Sequence, residues 1–294
     1  MGKREQNRIK NTCSYALEER IRLLDLLGEF DGTVANQKRF QVIRIEDAER
    51  VAQELRVDWG LGRDPIPNMV SLLENKRIHV IEIDTEDGFD GVSLQVFNDE
   101  NQLVSWGIAL RRGISGDRQR FSLAHELGHL IPDVISNIDQ EKVANRFAGS
   151  FLAPADALFR DVGRYRQFIS IQELILLKQR YKMSIQALLY RLHELEVINA
   201  YLYKKWCIII DKMGWRKNEP VKINPEIPQW IDLLVHQAFT KQLISKQDAL
   251  QILSLGKSNK VEVTLVGTKE FGNMSIDEHE DLLKLQISEC ERLY

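Results

Sequence analysis

His125 and His129 stand four residues apart and enclose Glu126 in the pentapeptide His125-Glu126-Leu127-Gly128-His129. Residues four apart on a helix share a face, so both imidazoles can hold one metal ion. Glu126 flanks the same face, three residues before His129. The chemistry this pattern serves is metal-dependent peptide hydrolysis. The ion lowers the pKa of a bound water toward about 7. Glu126 takes the proton of that water and passes it to the leaving amine.

Such a pair needs a helix with one face in a cleft and its back in the core. The spacing predicts a helix over Asp117–Ile131, stopped by Pro132. Stepping about 100° per residue, Ser122 falls beside His129, and Leu123, Leu127, Leu130 and Ile131 fall opposite. A catalytic metal also needs a third protein ligand and an open position. Asp133, Asp139 and Glu141 are the downstream candidates. Glu141 is preferred because it opens a second helix over residues 138–152. There Val143, Phe147 and Phe151 form an apolar stripe, and the small Ala144 and Ala148 permit close helix contact. Two histidines and a carboxylate suit Zn2+, with Mn2+ or Fe2+ as alternatives. His79, His193, His236 and His279 lack a partner at ligand spacing and read as structural or solvent-facing. Arg120 and Asn145 are the nearby polar candidates for stabilising a transition-state oxyanion.

The remaining features bound the setting. The formal net charge of −3 gives no global attraction to nucleic acid or anionic membrane. Three scattered cysteines form neither a disulfide framework nor a cysteine metal site. No apolar run is long enough to span a bilayer, and the charged N-terminus does not resemble a signal peptide. The expected location is the cytoplasm.

Along the chain, helices are predicted over 15–28, 46–57 and 68–76, and strands over His79–Ile83, Val92–Phe97 and Leu103–Leu110. Ser170 and Ser184 head a helical pair at 171–195. Trp206–Ile210 reads as a strand and Asn218–Pro228 as a linker. The remainder reads as mainly helical, with a strand near Val261–Val266. The organisation expected is an N-terminal helical extension over 1–45, a metallopeptidase domain over 46–200, and a C-terminal region over 201–294.

The run Arg120-Phe121-Ser122-Leu123-Ala124-His125-Glu126-Leu127-Gly128-His129-Leu130 is followed by Glu141-x-x-Ala144-Asn145-x-Phe147-Ala148 and by Leu152-Ala153-Pro154. Together with Trp59-Gly60-Leu61-Gly62, Pro65-Ile66, Leu73-Glu74 and Phe89-Asp90-Gly91, it resembles the ImmA/IrrE family of metallopeptidases over about residues 46–200. The resemblance implies His125, His129 and Glu141 as metal ligands and Glu126 as catalytic base. It implies an α+β fold with a small sheet packed on the active-site helix. It also implies a cytoplasmic protein substrate, a helix-turn-helix repressor of a mobile element or stress regulon, and a role in regulatory proteolysis. Residues 1–45 show no helix-turn-helix signature, and the motifs do not cover the region after about residue 200.

Two other function classes compete. The pair at 171–195 is spaced like a helix-turn-helix, with Lys178, Arg180, Lys182 and Arg191 as a basic side, which would suit a DNA-binding regulator. Glu173, Glu194 and Glu196 offset those charges. A non-catalytic interaction protein could keep the metal for structure, but such a site has no use for Glu126.

Overall fold

The computed structural model describes residues 3–30, 40–85, 89–98, 100–135, 137–254 and 262–266. In chain order these form α1 (Lys3–Leu26), β1 (Phe40–Val42), α2 (Asp47–Asp58), α3 (Met69–Asn75), β2 (Ile78–Ile83), β3 (Gly91–Phe97), β4 (Leu103–Arg111) and α4 (Gly116–Leu130). Then follow β5 (Pro132–Val134), α5 (Gln140–Leu152), α6 (Ala155–Val162), α7 (Ile171–Tyr181), α8 (Ile185–Glu194), α9 (Ala200–Lys212), α10 (Trp230–Thr240), α11 (Lys246–Ser254) and β6 (Glu262–Val266). The fold is mixed α+β. The chain divides into two packing units, each assembled from separated stretches.

The first unit comprises the described residues of Met1–Lys38, Val70–Arg112 and Ile227–Glu280. Its sheet has the order β2-β4-β3-β6, with β2 parallel to β4 and the other pairs antiparallel. Between β3 and β4, Asn98 Oδ1 accepts from the backbone of Gln102 at 2.8 Å and from that of Glu100 at 3.1 Å. Along α1, Ile9, Cys13 and Leu17 are buried against Ile81, Ile83, Leu94 and Ala109 of the sheet. Leu17 lies 3.1 Å from where a Cβ at Gly107 would stand, so the strand glycine gives the helix its seat. Gly28, with φ +69°, ends the α1 chain turn in the left-handed region that glycine tolerates.

The second unit comprises the described residues of Arg39–Met69 and Gly113–Glu226. A short parallel pair, β1 with β5, places Gln41 opposite Asp133. Helices α2, α4, α5 and α8 pack around Val51, Leu55, Leu127, Val143, Phe147, Phe151 and Leu188, all buried. A buried polar knot joins three of them. Arg191 of α8 donates to both oxygens of Glu49 of α2, at 2.5 and 2.7 Å, and Ser150 of α5 donates to the same carboxylate at 2.6 Å. Burial alone would raise the Glu49 carboxyl, but these donors and the neighbouring arginines bring it below its ordinary range.

One expectation is corrected. Residues Trp206–Ile210 are not a strand but lie inside α9. The run of isoleucines favours a strand locally, yet Asn199 caps a helix by accepting from Leu202 N at 2.9 Å. Burial then falls at Leu202, Tyr203, Trp206 and Ile210, a helical stripe, while Ile208 is 47% exposed. Residues 218–228 lack regular structure, as expected of a linker, and the boundary between the two units falls within them. Their carboxylates at Glu219 and Glu226 are bonded to Lys178 and to Met69 N within the second unit. The expected strand near residue 261 is β6. The stretch after residue 266, with His279 and Cys290, lies outside the described residues.

Candidate metal centre

All of the chemistry expected from the sequence lies on α4 and α5 of the second unit. Helix α4 runs from Gly116 to Leu130 and ends where Pro132 begins β5. Leu123, Ala124, Leu127 and Leu130 are buried, while Ser122, His125 and His129 are half-buried on the other side. Helix α5 is started by Asp139, whose Oδ1 accepts from Glu141 N at 3.0 Å and Lys142 N at 3.2 Å. That cap uses Asp139 as a helix signal and sets Glu141 in the first turn. Asp133 is held in β5 and joins no ligand group.

Close approach of the two helices is built into the pentapeptide. A Cβ at Gly128 would stand 2.9 Å from Ala144 Cα and 3.1 Å from Ala144 O. Only glycine at this position, facing alanine, lets the helices cross at that distance. The crossing brings Glu141 beside both histidines.

The donor atoms converge. His125 Nε2 is 3.2 Å from Glu141 Oε2, His129 Nε2 is 3.4 Å from Glu141 Oε1, and the two Nε2 atoms are 3.1 Å apart. Three ligands at zinc's usual bond lengths, in tetrahedral arrangement, stand about 3.3–3.6 Å from one another. The set therefore fits a divalent ion with two imidazoles and a carboxylate. The Glu141 side chain is 41% exposed and the His129 side chain 6%. The group thus has an open side and a protein-covered side, as a site with a vacant coordination position requires.

The electrostatics favour positive charge at this point. Burial pulls the His125 pKa down, but the Glu141 hydrogen bond, the charges of Glu126 and Glu141 and the bond to Asn145 outweigh it and raise it. Burial raises the Glu141 carboxyl, but its bonds to His125 and His129 and their charges hold it far below its ordinary range. Glu126 is 8% exposed, and its charge acts on the neighbouring His125.

Asn145 was expected only as an oxyanion donor. In the structure its Oδ1 lies 2.9 Å from His125 Nδ1. With Nδ1 protonated, the imidazole donates to Asn145 and presents the Nε2 lone pair to the ligand group. The signal in the sequence was the spacing: Asn145 follows Glu141 by four residues on α5 and shares its face. Arg120 also departs from that expectation. It is 1% exposed and bonded to Glu226 and to the Ile66 carbonyl, away from the histidines.

The other histidines have structural settings. His79 is buried and stacked on Trp230 with centroids 4.6 Å apart, and burial pushes its pKa well down. His193 stacks on Tyr203 at 4.9 Å. His236 is exposed on α10. Of the basic side expected of the helical pair, Lys178 and Arg191 are buried in ion pairs, while Arg180 and Lys182 bond nearer the surface. Lys178 bonds Asp117 and Glu219, Arg180 bonds Asp161, Lys182 bonds the Pro67 carbonyl, and Arg191 bonds Glu49.

Residues 74–193 match the family model of the IrrE N-terminal-like domain, peptidase family M78. That stretch contains α4, α5 and the helical pair α7–α8. No curated protein matches the chain. Among the described residues, no helix is long and apolar enough to cross a membrane.

Proposed function

Starting from a chain that carries a peptidase M78, IrrE N-terminal-like domain, we propose that it is a metal-dependent endopeptidase. The observation that carries this reading is the convergence of His125, His129 and Glu141, with the buried Glu126 next to His125 in the chain. His125, His129 and Glu141 would hold the ion, and zinc best suits their two nitrogens and one carboxylate. When bound, the ion supplies a Lewis acid for the scissile carbonyl and the attacking water.

The chain's own residues do the rest. Asn145 fixes the His125 ring so that its Nε2 stays available. Glu126 removes a proton from the water as the new C–O bond forms. It returns that proton to the amide nitrogen as the C–N bond breaks, so atoms and charge balance.

The substrate we propose is a cytoplasmic protein, a helix-turn-helix repressor of a mobile element or stress regulon. The support is the sequence resemblance to ImmA/IrrE peptidases. The retained Glu126 favours catalysis over a purely structural ion.

The test is a paired measurement of metal content and cleavage in wild type and Glu126→Gln. Elemental analysis should find about one equivalent of metal in both proteins. Incubation with a helix-turn-helix repressor encoded beside the gene should give cleavage by wild type, and a rate lower by about 10²–10⁴ in the variant. Metal-free wild type, or equal cleavage by both, would overturn the reading.

A further inference from the structure

Helix α4 is gripped from behind by a segment outside the matched peptidase domain. Residues 219–226 run without regular structure along its N-terminal half. Gly116 N donates to Ile223 O at 2.8 Å, and a Cβ at Gly116 would stand 2.1 Å from Asn224 O. Gln119 bonds the Glu226 backbone in both directions, donating to its carbonyl at 2.8 Å and accepting from its N–H at 2.7 Å. Arg120, 1% exposed, pairs with the Glu226 carboxylate, whose side chain is 8% exposed. Arg120 also donates to Ile66 O at 2.7 Å, and Glu226 also accepts from Met69 N at 2.6 Å. The other end is held by Glu219, which accepts from Lys178 at 2.6 Å and from Ile185 N at 2.9 Å. Lys178 in turn donates to Asp117 of α4 at 2.5 Å.

These bonds lie on one side of α4. Stepping about 100° per residue, Gly116 lies about 180° around the helix from His125, and Arg120 lies about 180° from His129. The grip therefore touches no ligand. It acts on the rotation and axial position of the helix that carries two of them.

We infer that residues 219–226 form a clasp in which Arg120 and Glu226 are positioning residues for the metal centre. This inference rests on the proposed metallopeptidase function. Its physical basis is the narrow tolerance of the site. Ligands must sit within about 0.2 Å of their ideal distances to hold an ion well, and a misplacement of about 1 Å can cost on the order of 100-fold in rate. The α5 contact at Gly128 and the buried Leu123, Leu127 and Leu130 hold the C-terminal half of α4, and the clasp bonds hold its N-terminal half. Polar groups suit that task because a buried charge pair accepts one geometry and penalises the rest.

The experiment uses the full chain and zinc alone as probe. Zinc affinity is measured by competition with a chromophoric chelator in wild type, Glu226→Gln and Glu226→Asp. The visible spectrum of the Co2+-loaded proteins reports ligand geometry. Glu226→Gln should remain folded, weaken zinc binding by about 10–100-fold and alter the Co2+ spectrum, and Glu226→Asp should restore part of both. Should the single change prevent folding, the double change Arg120→Met with Glu226→Met decides. It removes both buried charges together while leaving apolar bulk, and the same loss of affinity is expected. A folded variant with a lowered melting temperature but unchanged zinc affinity and spectrum would show a merely structural role and overturn the clasp. Wild type that binds no zinc would instead overturn the metallopeptidase reading, so the two failures are distinguishable.

Discussion

The two sides of α4 are held by different means. The front carries His125 and His129, which meet Glu141 across a helix contact governed by Gly128 and Ala144. Its partners lie within about twenty residues, and its geometry is a matter of close packing. The back carries Gly116, Gln119 and Arg120, tied to residues 223–226 across more than a hundred positions of chain. Its N-terminal half adds buried polar bonds to the apolar packing of Leu123, Leu127 and Leu130. Packing sets how near the ligands come, and the polar bonds help set how the helix is turned. A site assembled this way should fail differently when each side is disturbed.

The largest effect is expected at the front contact. Gly128→Val places atoms where Ala144 backbone now stands, only 2.9 Å from the first added carbon. Overpacking of this kind costs about 1–3 kcal/mol, which the better helix propensity of valine offsets only in part. Neighbouring backbone cannot swing aside as a side-chain tip could, so the helices must part and carry Glu141 with them. The outcome expected is loss of measurable zinc binding together with a lower thermal midpoint. Unchanged zinc affinity in this variant would mean that the crossing does not set the ligand spacing.

Next comes Asn145→Ala. It leaves all three ligands in place and removes the bond that orients His125. Losses of about 10–100-fold in metal affinity are usual for such partners. Asn145→Asp should retain most of the affinity, because a carboxylate oxygen accepts from Nδ1 at least as well as an amide oxygen does. Calorimetric zinc titrations of the three proteins check both statements. Equal affinity in the alanine variant would mean that the His125 ring is held by its packing alone.

How much of this could be read beforehand follows the same division. The front was legible because its logic is local. Four-residue spacing on α4, small residues on α5 and a carboxylate in the first turn are each visible within a short window, and the structure brings His125, His129 and Glu141 together. The role of Asn145 was within reach by the same spacing from Glu141. The back was illegible. Nothing near Arg120 in the sequence announces Glu226, and a polar stretch with three prolines looks like a linker whether or not its carboxylates are buried. The isoleucines of α9 misled for a related reason. Strand preference is a property of the run itself, whereas the stripe of Leu202, Tyr203, Trp206 and Ile210 matters only once there is a surface to bury it.

The smallest effect tests whether the start of α5 belongs to the front-side mechanism. Asp139 joins no ligand group, yet its two bonds to Glu141 N and Lys142 N begin the helix that presents Glu141. Asp139→Ala should lower stability by about 1 kcal/mol, the usual worth of such a cap. In a folding unit of this size that shifts the thermal midpoint by about 2–4 °C. Because the first turn then frays while the Gly128–Ala144 contact persists, zinc affinity should fall only a few-fold, less than in Asn145→Ala. Asp139→Asn keeps an accepting oxygen at the cap and should behave like wild type in both measurements. If Asp139→Ala instead removed zinc binding altogether and Asp139→Asn did the same, Asp139 would be acting on the ion directly, and the assignment of Glu141 as the third ligand would have to be replaced.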